Sequence, residues 1–102
     1  MELKPGTRLR SQVCTTEVIV VRPPASAVEL TCGGHPMVAL DVPPESGLIL
    51  IDVGGGPSEL GKRYTGTDES LEVLVTKAGA GTLADGGVPL VLKAAKPLPS
   101  SD

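Results

Sequence analysis

The chain echoes itself, and the echo restricts its fold more than any other feature. Gly6-Thr7-Arg8-Leu9-Arg10-Ser11 stands over Gly61-Lys62-Arg63-Tyr64-Thr65-Gly66, 55 residues further on. Glu17-Val18-Ile19-Val20-Val21 stands over Glu72-Val73-Leu74-Val75-Thr76 at the same spacing. After a turn, Leu30-Thr31-Cys32-Gly33-Gly34-His35-Pro36-Met37-Val38 stands over Leu83-Ala84-Asp85-Gly86-Gly87-Val88-Pro89-Leu90-Val91, now 53 residues on, so the second turn is two residues shorter. Self-similarity of this kind is the mark of one supersecondary unit used twice, each copy covering the apolar face of the other.

Both copies carry the same local grammar. A short run (Arg8–Arg10; Arg63–Thr65) leads through a turn to a β-branched strand at residues 17–21 and 72–76. A turn rich in small residues or Pro follows at 22–27 and 77–81, then a further strand at 28–31 and 82–84. These are hairpin-length connections between strand signals. With 13 Gly and 10 Pro, the chain is interrupted too often for long helices. Tyr64 is the only aromatic residue, so the core must be Val, Leu, Ile and Ala in thin sheets packed face to face. The expectation is an all-β, pseudo-symmetric domain, with repeat 1 at residues 1–40, a linker at 41–60, repeat 2 at 61–95 and a disordered tail at 96–102. Within the linker, Pro43-Pro44-Glu45-Ser46-Gly47 predicts a turn, residues 48–53 a buried strand, and Gly54-Gly55-Gly56 its end. The core is expected to hold Val18, Val20, Leu30, Val38, Val73, Val75, Leu83 and Val91.

Charge excludes some functions. A net charge of −3, a pI near 5.0, no basic run and no aromatic platform argue against nucleic-acid binding. The longest apolar run, residues 48–51, is far shorter than the roughly 20 residues that span a bilayer, and residues 1–7 lack a signal-peptide core. A soluble, cytoplasmic protein with a protein partner, a second copy of itself or an ion as ligand is the expectation. The Leu48-Ile49-Leu50-Ile51-Asp52-Val53-Gly54-Gly55-Gly56 stretch resembles the strand and glycine turn of S-adenosylmethionine-binding methyltransferases. Such a loop works only where a strand feeds a helix inside a parallel α/β sheet, and Pro57 to Gly61 leaves room for one helical turn at most. It reads as a strand end and a linker.

The first copy resembles the desulforedoxin family, rubredoxin-like metal knuckles that include the N-terminal domain of desulfoferrodoxin. The family pattern is G-x-x-Y-x-C-x-x-C-G, a strand, a glycine turn, then L-x-C-C-G-x-x-M, with four thiolates around one iron. On this chain Cys14 and Cys32 fall on two of the four ligand positions, and Ser11 and Gly33 replace the others. In the second copy Gly66, Glu69, Asp85 and Gly86 stand there, so the site is degenerate in one copy and lost in the other. Desulforedoxin is a homodimer, so the resemblance implies that this tandem chain imitates that dimer within one molecule. A superoxide reductase centre would need several histidines, and His35 is the only one.

Two readings of the residues stand side by side. Cys14, Cys32 and His35 make a Cys₂His set to which zinc or iron could bind, with a fourth position supplied by water, by a carboxylate such as Glu17 or by a second chain. A structural zinc would contribute on the order of 10 kcal/mol to folding. Alternatively, the thiols are small buried hydrophobes and His35 a turn residue. Oxidation of the pair would close a loop worth about 3 kcal/mol, which in a reducing compartment points to a redox sensor rather than a permanent link. Glu69 and Asp85 read as solvated turn residues, since hard cations want six or more oxygens. No Ser/His/Asp set is credible, since the only His, His35, sits in a Gly-Pro turn with no nucleophile identified beside it, which makes an enzyme improbable and a cofactor unexpected. The function expected is therefore a non-catalytic accessory or protein-interaction module. The alternative is a metal-binding or redox-sensing module.

Overall fold

A computed structural model describes residues 3–25, 28–66 and 70–93. Ten strands form within them: β1 (Arg8–Arg10), β2 (Glu17–Arg22), β3 (Leu30–Cys32), β4 (His35–Pro36), β5 (Val38–Ala39), β6 (Arg63–Thr65), β7 (Glu72–Lys77), β8 (Leu83–Asp85), β9 (Val88–Pro89) and β10 (Val91–Leu92). The protein is all-β, with no helix among the described residues and none long and apolar enough to cross a membrane.

The strands form two antiparallel sheets. One is six-stranded, in the order β10-β6-β7-β2-β1-β5, and the other four-stranded, in the order β4-β3-β8-β9. Each sheet is centred on a pair that joins the first half of the chain to the second. Between β2 and β7, Val18 faces Val75, Ile19 faces Leu74 and Val20 faces Val73. Between β3 and β8, Leu30 faces Asp85, Thr31 faces Ala84 and Cys32 faces Leu83. The flanking bonds also match across the halves. Gly6 N–H donates to Val20 O and Gly61 N–H to Val75 O, while Met37 N–H donates to Leu30 O and Leu90 N–H to Leu83 O.

The alternation of β-branched residues fixes the inner face, because side chains of a strand point to opposite faces in turn. Val18, Val20, Val73 and Val75 are all at most 1% exposed, while Ile19 and Leu74 between them are half-buried. Leu9, Leu30, Cys32, Met37, Tyr64, Leu71, Leu83 and Leu90 complete the cluster. Each fully buried Val or Leu contributes about 1.5–3 kcal/mol from apolar area removed from water.

Three expectations need correction. Val38 is only half-buried and Val91 is 57% exposed. Both lie on the outermost strands, β5 and β10, and the preceding residues Met37 and Leu90 are buried instead. A one-residue shift of register is enough to exchange the faces. Residues 48–53 form no strand, and Ile49 and Ile51 are 77% and 49% exposed. The segment meets the turn that follows β3, with Ile51 N–H donating to Gly33 O (2.8 Å), and its outward Ile49 and Ile51 leave it without the buried face a core strand would have. The strand expected at 28–31 runs instead from Leu30 to Cys32, and the expected tail at 96–102 lies outside the described residues.

Candidate functional site: a thiol pair at the junction of the two halves

The turn between β1 and β2 presents Cys14. Its ends are closed by Ser11 N–H donating to Thr16 O (2.9 Å). The Ser11 hydroxyl accepts from the amides of Val13 (3.1 Å) and Cys14 (3.2 Å), the local side-chain-to-backbone capping at which serine is effective. Cys32 ends β3 just before a two-residue turn, Gly33-Gly34, whose φ angles are +64° and +85°. Two consecutive positive φ values are the signature of a type I′ hairpin, which glycine adopts without steric cost.

These two turns bring the sulfurs together. Cys14 Sγ lies 3.8 Å from Cys32 Sγ, and the thiols are not bonded. A third turn, between β7 and β8, closes over them: Gly81 N–H donates to Cys14 Sγ (3.3 Å). A Cβ at position 81 would lie 2.8 Å from Cys32 Sγ and 3.0 Å from Cys14 Sγ, so only a bare backbone fits there. That turn is clasped by the linker, through paired amide bonds between Ser58 and Gly79 and through the Ser58 hydroxyl donating to Gly81 O (2.6 Å).

The two thiols differ sharply. Cys32 is 0% exposed, and burial, together with the neighbouring Cys14 charge, pushes its pKa up to about 11. Cys14 is half-buried and opens onto a depression lined by Ser11, Gln12, Thr15, Pro44 and Leu48. Burial pushes its pKa up as well, but hydrogen bonds from the Ser11 and Thr16 hydroxyls and from the Thr16 and Gly81 amides outweigh this and bring it down to about 7. Thr16 Oγ1 stands 3.2 Å from Cys14 Sγ.

His35 does not join the sulfurs through Nε2. That nitrogen is 2.7 Å from Ile49 O; a carbonyl can only accept, so Nε2 carries the proton and donates it there. Among the described residues no group of three His, Cys, Asp or Glu side chains comes together. At Gly33, which replaces a family thiolate, a Cβ would fall 2.6 Å from Val13 Cγ2 and 3.3 Å from Leu50 Cγ. The residues present therefore do not fit a four-thiolate iron centre, which needs sulfur at every position. In the second half, Asp85 accepts from Glu29 N–H through Oδ1 (3.0 Å), and Gly86 N–H donates to Glu29 O (2.8 Å). Asp85 thus ties a loop of the first half to β8, a backbone role that the solvated-turn reading did not include. Glu69 lies outside the described residues.

The sequence reading missed a second polar cluster. Glu72, 2% exposed, accepts from Lys93 Nζ at 2.6 Å and from Arg63 Nη1 at 3.2 Å. The hydrogen bond from Lys93 holds its carboxyl below the usual carboxylate range, and the positive charges of Lys93 and Arg63 add to the effect against the opposing cost of burial. The available signal was a glutamate opening a run of inward valines. Its partners, 9 and 21 residues away, become visible only with the register.

In comparisons with known proteins the chain matches no family model, no curated protein and no solved structure.

Proposed function

We propose that this chain is a small, non-catalytic, cytoplasmic interaction module, two tandem copies of a desulforedoxin-like unit in which the metal centre has dwindled to a thiol pair. The observation that carries the reading is His35 Nε2 engaged by Ile49 O at 2.7 Å, which leaves Cys14 and Cys32 as a pair with no third protein ligand beside them among the described residues. The tandem origin draws support from the spacing of matched strands, the reciprocal registers of β2 with β7 and β3 with β8, and the shared capping bonds. On this reading the second half is a structural partner without thiols, and the ligand of the module is a protein or a second copy of the chain. Apolar side chains left in solvent, Ile49 and Leu60 foremost, are what such a partner would cover.

A second reading is favoured by the 3.8 Å separation of the sulfurs: a module that holds zinc or iron through Cys14 and Cys32, or senses redox conditions with them. Elemental analysis of protein purified without chelator or affinity nickel, beside Cys14→Ser, separates the two. The interaction-module reading expects no stoichiometric metal in either protein. Near-stoichiometric zinc or iron that disappears in Cys14→Ser would overturn it in favour of the metal site.

A further inference from the structure

The thiol pair has a direction built into it. Cys14 opens onto a surface depression, whereas Cys32 is fully buried immediately behind it. A small oxidant entering from solvent meets one sulfur and not the other. At 3.8 Å the second sulfur is already near van der Waals contact with the first, so the two have about 1.8 Å to close to reach a bond of about 2.05 Å. The Gly81 amide and the Thr16 hydroxyl sit against Cys14 Sγ, where they can donate to a sulfur that carries negative charge.

We propose that Cys14 is a peroxide-reactive thiol and Cys32 its resolving partner. The inference rests on the redox arm of the second reading above and goes further, naming the oxidant class and assigning the two roles. The Cys14 sulfur attacks one oxygen of hydrogen peroxide; the O–O bond breaks, a sulfenic acid forms on Cys14 and the other oxygen leaves as water. The Cys32 sulfur then attacks the Cys14 sulfur. The S–S bond forms, the S–O bond breaks, and the hydroxyl departs with the Cys32 proton as a second water. Two thiols give up two electrons and two protons, and one peroxide becomes two waters.

Burial makes the order of events one-way. Sulfenic acid on Cys14 is formed within reach of a thiol, so it is consumed internally before a second peroxide can carry it further up the oxidation ladder. Cys32, 0% exposed, has no direct access to the oxidant. The bare backbone at Gly81 is part of the arrangement, since any side chain there would fall on both sulfurs.

The test uses the full reduced chain with graded hydrogen peroxide, and the disulfide-forming oxidant diamide in parallel. Expected with peroxide are a fall of about 2 Da in intact mass, loss of both alkylatable thiols and no intermolecular link. With dimedone present during brief peroxide exposure, peptide mapping should place the sulfenic-acid adduct on Cys14 alone. In Cys32→Ser that adduct should accumulate several-fold over the native chain, because the resolving sulfur is gone. Adducts on Cys32, or peroxide products that are only intermolecular, would overturn the assignment of roles. A disulfide with diamide but none with peroxide would overturn the peroxide assignment and leave the redox reading intact. No internal disulfide with either oxidant would overturn both.

Discussion

Positions 55 or 53 residues apart, which the proposed repeat would pair, differ in what their side chains do in the two halves of this protein. Where the first half has Ser11, Thr16, Cys32 and Gly33, the second has Gly66, Leu71, Asp85 and Gly86. Thr16 and Leu71 are both 0% exposed, yet one is a hydroxyl beside a sulfur and the other a plain aliphatic in the core. Cys32 faces another thiol, while Asp85 caps a backbone amide. The reverse holds on the opening residue of the long strands. Glu17 is partly exposed and only 3.8 Å from Lys77, whereas Glu72 is sealed beneath Lys93 and Arg63. One half thus carries the thiol pair and the other a buried carboxylate cluster. What differs is the surrounding side chains, so the comparison separates what the scaffold needs from what a site needs.

The largest expected effect lies at the Thr16 and Leu71 pair. Leu71→Ala should destabilise the protein by about 2–5 kcal/mol in denaturant unfolding, through lost apolar burial and the cavity left behind. Thr16→Val keeps the volume, so its mark should be chemical: Cys14 loses a hydrogen bond to its charged form, and the midpoint of its alkylation should move to higher pH. Equal loss of stability at both positions, with Cys14 unaffected, would break the comparison.

Gly33 and Gly86 come next, since both adopt a left-handed backbone, at φ +64° and +59°. Gly86→Ala should cost about 1–2 kcal/mol, the backbone penalty alone, because nothing lies within 4 Å of a Cβ there. Gly33→Ala meets Val13 as well and should cost about 2–4 kcal/mol. Similar values in chemical denaturation would mean that the space beside Gly33 is not filled as described.

The two glutamates give a smaller contrast. Glu72→Gln should cost about 1–3 kcal/mol, the range for hydrogen bonds to a charged group. Glu17→Gln should stay within about 0.5 kcal/mol, as an exposed pair does. The folded protein holds the Glu72 pKa below its unfolded value. Its contribution is therefore fully present above the unfolded glutamate value of about 4.3, and is lost as pH falls from there through the lower folded value. Stability curves of native and Glu72→Gln protein should converge on acidification through that window.

Among the thiols the contrast is one of rate. Iodoacetamide should modify Cys14 with a half-maximal rate near pH 7, while Cys32, with its pKa near 11, stays unmodified in the folded protein across the neutral range. Peptide mapping after timed alkylation reads both, and comparable labelling of the two would contradict the burial of Cys32.

The period-2 pattern of Val18, Val20, Val73 and Val75 was enough to read an all-β fold and most of its core, since burial of one sheet face leaves little freedom in such strands. Cys14 and Cys32 lie 3.8 Å apart, a contact between residues 18 apart that the spacing of their turns does not by itself fix. What lay beyond reach were decisions made by the far side of the fold. Val91 and Val38 looked like core until their strands became edges, and residues 48–53 looked like a buried strand although Ile49 and Ile51 lie in solvent. Gly81, 67 residues from Cys14, donates to its sulfur only because β7 and β8 carry their turn back across the first half. No local spacing encodes a contact of that range.

We propose that this scaffold stands without a metal, its second half and its core supplying what a metal would. Thermal unfolding of protein purified without chelator, recorded before and after treatment with a strong chelator, tests it most directly. The account predicts the same midpoint in both. A fall of many degrees on chelation, restored by adding back zinc or iron, would contradict it, because a structural metal contributes on the order of 10 kcal/mol to folding.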